Sequence, residues 1–287
     1  MQGTVDGFSY GLVTPLVAYL MACLGGALGL RCTTRALLVA QSWRPGWLAL
    51  GSAAIGSGIW TMHFIAMIGF TVDGAPIHYD KPMTYASLGV AIVMVGVGIF
   101  IVGYRGATGT ALFTGGTITG LGIASMHYLG MAGMRFNGTF RYNTLTVAVS
   151  VAIAMVAATA ALWAAGQVRG FLWSVGASLV MGLAVTGMHY TGMAAMSVHL
   201  HTGSPTVGDS PAALLAPMLI GPLAFLCLAG AVVVFDPLMV MGKPDWTPAD
   251  HKPGVPAHPP VPHPSRSSQP RIRRKVTHRE SRTPQNR

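Results

Sequence analysis

Charge is what this chain of 287 residues has least of: 9% of it is Asp, Glu, Lys or Arg, against roughly 25% in an ordinary soluble domain. Only eight residues are acidic. So little charge beside 52% hydrophobic residues excludes a soluble fold for residues 10–235. Cysteine is nearly as scarce. Cys23, Cys32 and Cys227 show no C-x-x-C spacing, which argues against a disulfide framework or a thiolate metal site and leaves them as small packing residues. The N-terminus has no basic region and no cleavage motif, so the first apolar run is expected to be a retained helix rather than a removable signal peptide. The seventh apolar run has no lysine, which excludes a retinal Schiff base. Nucleic acid is excluded as a partner, because the basic excess sits on short loops and a tail rather than on a folded face.

What the chain does have is apolar length. Runs of about 20 apolar residues cross a hydrocarbon core as helices. Seven are present, at 10–30, 47–70, 84–103, 111–134, 144–166, 172–196 and 212–235, none with a charged residue inside. The expected fold is therefore an all-α integral membrane protein of seven transmembrane helices. Basic loops mark the cytoplasmic side of a membrane. Arg31, Arg35 and Arg44 follow the first span, Arg105 the third and Arg169 the fifth, and these share a side with the tail after the seventh. Asp6, Asp73, Asp80, Lys81 and Asp209 fall on the other side, with Arg135 and Arg141 there against the rule. The N-terminal residues 1–9 are then outside and the C-terminus inside. Residues 236–287, with ten Lys and Arg against four acids and RIRRK at 271–275, are rich in Pro and Ser. Their composition is that of a disordered tail, too short and Pro-rich for a catalytic output domain, so no enzyme activity is expected. RIRRK could rest on anionic lipid, although setting orientation accounts for it equally well.

One phrase recurs three times: MHFIAMIGF at 62–70, MHYLGMAGM at 126–134 and MHYTGMAAM at 188–196. Each closes an even-numbered span. The chain thus divides into two-helix repeats at 10–70, 84–134 and 144–196, with the seventh helix, 212–235, added. Units with an even number of spans insert in one direction, and parallel repeats can be related by an axis along the membrane normal. His63, His127 and His189 then share one depth, seven residues before the assigned span ends, or about 10 Å beneath the outer boundary. A histidine at membrane depth is costly and marks a functional site; three at one depth suggest one site. On a helix each shares a face with the methionine four residues on, Met67, Met131 or Met193, while Met62, Met126 and Met188 precede the histidines by about 100°.

Imidazole and thioether together suit copper, with thioether favouring Cu(I). The spans hold no carboxylate for a hard cation. A three-histidine zinc site and a haem with His or Met axial ligands are the alternatives. The plain structural reading is that methionines fill irregular packing and each histidine bonds a carbonyl across a helix interface; it does not explain a histidine in every copy. Tyr128 and Tyr190, with Phe64 in the first copy, could support a ligand or serve as interfacial aromatics. Gly120, Gly122, Gly182 and Gly187 are expected to allow close helix approach. His78, His199 and His201 in outer loops lack a nearby third ligand, and His251, His258 and His263 are spaced by prolines in the tail; all six read as solvated residues.

The segments GIWTMHFIAMIGF at 58–70, SMHYLGMAGM at 125–134 and GMHYTGMAAM at 187–196 resemble the three repeats of the MHYT domain, a bacterial integral-membrane sensor module. The resemblance covers roughly residues 10–235. It implies six or seven helices with the motifs near the outer face, and a copper site that senses oxygen, carbon monoxide or nitric oxide. Carried over to this sequence, it implies ligands at Met62 and His63, Met126 and His127, and Met188 and His189. Phe64 and Leu129 depart from the Tyr and Thr of the pattern. Many members carry cyclic-dinucleotide or histidine-kinase output modules, which this sequence does not show, so a separate cytoplasmic or membrane partner is expected. The resulting expectation is a non-enzymatic copper-binding membrane sensor of a diatomic gas or of redox state, embedded in the lipid bilayer. Its rivals are a copper handler or transporter and a haem-bearing redox protein. A transporter needs ligands through both leaflets, and here every Met-His phrase lies in the outer half.

Overall fold

A computed structural model of the chain describes residues 5–6, 9–72, 76–167, 170–200 and 211–236. Seven long helices carry the fold: α1 (Val13–Leu38), α2 (Arg44–Ile68), α3 (Lys81–Arg105), α4 (Gly109–Ala132), α5 (Thr144–Ala165), α6 (Phe171–Ala194) and α7 (Pro211–Val234). Their starts are written in the sequence. The side chains of Asp80, Thr108 and Asn143 accept bonds from the amides of Met83, Ala111 and Thr146 at 3.0, 3.4 and 3.0 Å, capping amides that the first helical turn leaves free. Helices α1 to α6 close a ring in chain order, each packed on its sequence neighbours and α6 returning to α1. Small residues set the spacing. At the α1–α2 seam a Cβ on Gly25 would stand 2.7 Å from the Cα of Gly58, so only glycine fits.

Six of the seven helices are long and apolar enough to cross a membrane, and the protein is a multi-pass membrane protein. Helix α4 has the length and no charged residue, but its glycines and threonines leave it less apolar. It stands between α3 and α5 in the ring and so traverses the same thickness.

Short strand pairs lie at the end where even helices finish and odd helices begin. Strand β1 (Val5–Asp6) pairs with β2 (Thr71–Val72), β3 (His78–Tyr79) with β4 (Met134–Arg135), and β5 (Gly138–Tyr142) with β6 (Met196–Leu200), all antiparallel. The same backbone bond ties each helix pair: the amides of Ser9, Asp80 and Asn143 donate to the carbonyls of Gly69, Gly133 and Ala195 at 3.1, 2.8 and 2.8 Å. Those three acceptors are the C-caps of α2, α4 and α6, and each occupies the second small position of the nine-residue phrase. In the β3 strand, burial pushes the Tyr79 hydroxyl well above the ordinary phenol value.

Helix α7 stands outside the ring against α2 and α1. Leu226, Ala229 and Val233 form a second apolar cluster with Leu28, Cys32 and Ala54. Beyond its end, Asp236 accepts a 2.9 Å bond from Arg35 Nε in a buried ion pair, and the Arg35 guanidinium lies 5.4 Å from the Trp47 ring.

Three expectations need correction. The first helix runs to Leu38 rather than ending near residue 30, so Arg31, Cys32 and Arg35 are helical; Asp236 and Trp47 compensate the Arg35 charge, which no local pattern reveals. The even helices end at Ile68, Ala132 and Ala194, two residues early, because the small C-cap residues turn the chain into the strands. The histidines therefore lie five residues from the helix ends, about 7.5 Å by helical rise. Finally, Gly120, Gly122 and Gly182 do sit at close approaches to Met155, Met94 and Cys23, whereas nothing lies near Gly187. The tail disorder, with RIRRK and His251, His258 and His263, concerns residues outside the described ones, as do Asp73, Arg169, His201 and Asp209.

Candidate metal centre

Helices α2, α4 and α6 each carry one Met-His pair five to six residues before the helix end, and the ring turns all three toward its axis. His63, His127 and His189 are 1%, 0% and 1% exposed. Their rings meet nearly at right angles, with centroids 4.9 to 5.1 Å apart and interplanar angles of 77° to 88°. The Nδ1 atoms form a triangle: 3.0 Å between His63 and His189, 3.2 Å between His127 and His63, and 3.3 Å between His189 and His127.

Three nitrogens this close cannot all satisfy one another. A proton on one Nδ1 serves a single neighbour, and the remaining contact must bring lone pairs or protons together. A cation at the centre removes the conflict, because every lone pair then points at it. The spacing fits: three nitrogens sharing a tetrahedral ion at about 2.0 Å stand roughly 3.3 Å apart. The donor set fits as well, since imidazole is a ligand for copper, zinc and iron alike. A porphyrin does not fit, because three rings whose nitrogens meet within 3.3 Å leave no plane between them for a macrocycle.

The first small position of the phrase proves to be part of this site, and reading the residues as packing glycines missed it. A Cβ on Gly130 would stand 2.6 Å from His63 Nε2, and one on Gly192 would press on His127 Nε2. His63 and His127 thus each lie over the small residue of the next repeat, three positions after that repeat's own histidine. Ala66 holds the equivalent place in the first copy. The signal was present in the sequence as a repeated small residue, but only the ring closure says what it faces. Nε2 of His63 and of His127 is buried without a hydrogen-bond partner among the described residues, an uncommon state for a metal-ligating histidine, whose second nitrogen ordinarily donates to an acceptor.

The methionines are buried in the packing around the triad. Met62, Met126 and Met131 are fully covered, Met67 and Met188 are 1% exposed, and Met193 is half-buried. The residues after the histidines pack on their rings edge-on: Phe64 at 4.6 Å, Tyr128 at 4.8 Å and Tyr190 at 5.0 Å. The Tyr128 hydroxyl is engaged 2.7 Å from Ser150 Oγ on α5, so it braces the ring from the α5 side. Trp60, one turn before His63, donates from Nε1 to the Thr84 carbonyl at 3.2 Å and to Ser87 at 3.0 Å, fixing α2 to α3. His78 is exposed in β3 and His199 half-buried in β6; the only group of three ligand-type side chains among the described residues is the triad.

The MHYT family model, described as the bacterial signalling protein N-terminal repeat, matches this chain three times, at residues 56–115, 120–178 and 182–239. Each match begins in an even helix just before its Met-His phrase. The chain is 34% identical over 235 residues to the bifunctional diguanylate cyclase/cyclic di-GMP phosphodiesterase MucR of Pseudomonas aeruginosa, covering 79% of this chain and 34% of that protein. It is also 34% identical over 215 residues to the cyclic di-GMP phosphodiesterase NbdA of the same organism, covering 71% and 27%. With the signaling protein YkoW of Bacillus subtilis it shares 28% over 204 residues, 69% and 25%. The chain spans about a third or less of the length of these relatives. No solved structure matches it. Three repeats of one signalling module, each delivering one histidine to a common centre, identify the chain as a member of the MHYT family.

Proposed function

We propose that the protein is a sensor in bacterial signalling whose three histidines hold one copper ion, and that a diatomic gas, oxygen, carbon monoxide or nitric oxide, or the redox state of the surroundings, is what it senses. The observation that carries this reading is the Nδ1 triangle with edges of 3.0 to 3.3 Å, built from one residue of each repeat. Copper rather than zinc is favoured by the six buried or half-buried methionines within one turn, which suit Cu(I). Copper, when bound, supplies an open coordination position for such a ligand. The chain's own part is to present three lone pairs from three separate helices, so that any change at the centre acts on α2, α4 and α6 together. A ligand shifts the helix packing only as far as it prefers one arrangement to another.

In this reading the strand-bearing end faces outward across the inner membrane and the arginine-bearing end, with Arg31, Arg35, Arg44 and Arg105, faces the cytoplasm. The signal passes to a partner concerned with cyclic di-GMP, the nucleotide named for the relatives MucR and NbdA. The test is a carbon monoxide titration of the copper(I)-loaded protein followed by infrared spectroscopy. A new carbon monoxide stretching band is expected, and it should vanish in His127→Ala. A copper-loaded protein whose spectrum ignores carbon monoxide, nitric oxide and oxygen alike contradicts the gas-sensing part.

A further inference from the structure

Beneath the triad the ring holds a small, partly open apolar chamber. Its walls include residues one and two turns below the histidines, Ile59, Ile123 and Val185 and then Ile55, Thr119 and Met181, with Val95 and Ile99 of α3 and the alanines and Leu162 of α5 at the sides. Its volume is about 20 Å³, a little above the roughly 10–15 Å³ that holds one water molecule. Water needs two to four polar partners to stay in such a place, and Thr119, whose hydroxyl is already directed to the Met94 carbonyl at 3.4 Å, is the one polar wall. The chamber suits an apolar molecule of diatomic size.

A second cavity adjoins it from the side. A groove of about 430 Å³ runs between α5 and α6, and Ala157, Ala161 and Met181 line both spaces. Around the groove Val156, Val180 and Leu183 are exposed, so this seam faces hydrocarbon in a bilayer. Among the described residues the other two helix pairs approach more closely: Gly25 meets Gly58 between α1 and α2, and Gly98 meets Thr119 and the Gly115 carbonyl between α3 and α4. At the strand-bearing end the described residues cover the triad. Phe70, Val72, Met134 and Val198 are 1%, 6%, 4% and 1% exposed, and the histidines themselves are buried.

We propose that the α5–α6 groove and the axial chamber form one apolar route from the bilayer core to the histidine triad, and that the chamber is a holding site for a single apolar diatomic molecule. This route rests on the sensing reading above for its purpose, but not for its existence. Apolar gases concentrate in hydrocarbon relative to water, so a lateral entry would sample the higher concentration and exclude polar competitors. Thr119 and the alanines admit the ligand; Ile59, Ile123 and Val185 are the last layer before the nitrogens.

The test uses crystals of the full chain grown from lipid and pressurised with xenon, a spherical apolar probe, with copper content measured on the same preparation. Xenon should be found between Ile59, Ile123 and Val185. Filling the shared wall with Ala157→Leu, or the chamber itself with Ile123→Phe, should lower its occupancy at least tenfold, while Leu172→Ala at the far end of the groove should not. Copper bound in the unaltered chain with xenon confined to the groove, or absent, overturns the route and leaves the copper reading standing. Xenon in the chamber of a chain that binds no copper supports the route and overturns the copper reading.

Discussion

The contact between Gly130 and His63 allows the triad to be disturbed without touching a ligand. A methyl at residue 130 would lie 2.6 Å from His63 Nε2, where ordinary contact begins at 3.4 Å, so the ring must yield by about 0.8 Å in a packed interior. His63 shares the two shortest edges of the triangle, 3.0 and 3.2 Å. A displacement of that size takes its nitrogen out of reach of an ion held by the other two. Two stability effects oppose each other in Gly130→Ala. Alanine favours the helix by about 1 kcal/mol, and overpacking costs about 1–3 kcal/mol, so the net loss is at most about 2 kcal/mol and the protein stays folded. Copper affinity, by contrast, should fall at least tenfold. Gly187→Ala on α6, where nothing lies within 4 Å, gains the helix term and should leave copper untouched. The assay is competition with a copper(I) chelator of known affinity, beside thermal unfolding in the same detergent. Undiminished affinity in a folded Gly130→Ala variant would refute the packing of one repeat's histidine on the next repeat's small residue.

Three other outcomes follow from the fold. Removing one partner of the buried Arg35–Asp236 pair leaves an uncompensated charge, and Arg35→Ala or Asp236→Ala should each destabilise by about 3–5 kcal/mol; the double variant should be milder than their sum, which a thermal double-mutant cycle reads directly. The Tyr79 hydroxyl is buried without a partner among the described residues, so Tyr79→Phe should match or exceed the parent in melting temperature, and a clear loss would reveal a bond to that oxygen. For orientation, reporter fusions after Arg105 and at residue 240 should read cytoplasmic and one after Gly203 external; an external signal at residue 240 would show that the odd count of spans is wrong.

The parts of this structure legible in the sequence are those repeated or set by local chemistry. Apolar runs located all seven helices, and Asp80, Thr108 and Asn143 sit where helix starts need capping groups. Three copies of Met-His at near-equal spacing, on alternate helices, were enough to place three histidines at one depth, and the ring brings them within 3.3 Å. What stayed hidden depends on partners distant in the chain. Arg35 reads as a loop residue until Asp236, 201 positions away, neutralises it. The strand pairs β1–β2 and β3–β4 are two residues long, too short for alternation to show. The small residues at 66, 130 and 192 are visible as a pattern, but the role of Gly130 and Gly192 needs the ring to close so that each faces the histidine of the preceding repeat. The opening between α5 and α6 is a departure from three-fold likeness, and repeats cannot forecast where they differ.

The central claim is that one metal ion belongs to three repeats at once. Elemental analysis of the purified full chain, with each of His63→Ala, His127→Ala and His189→Ala beside it, tests this most directly, because a shared ion needs every ligand. The account predicts one copper per chain in the parent and in a His258→Ala control, and a sharp loss in each of the three triad variants. Full copper loading in all three variants, folded and inserted, would contradict it.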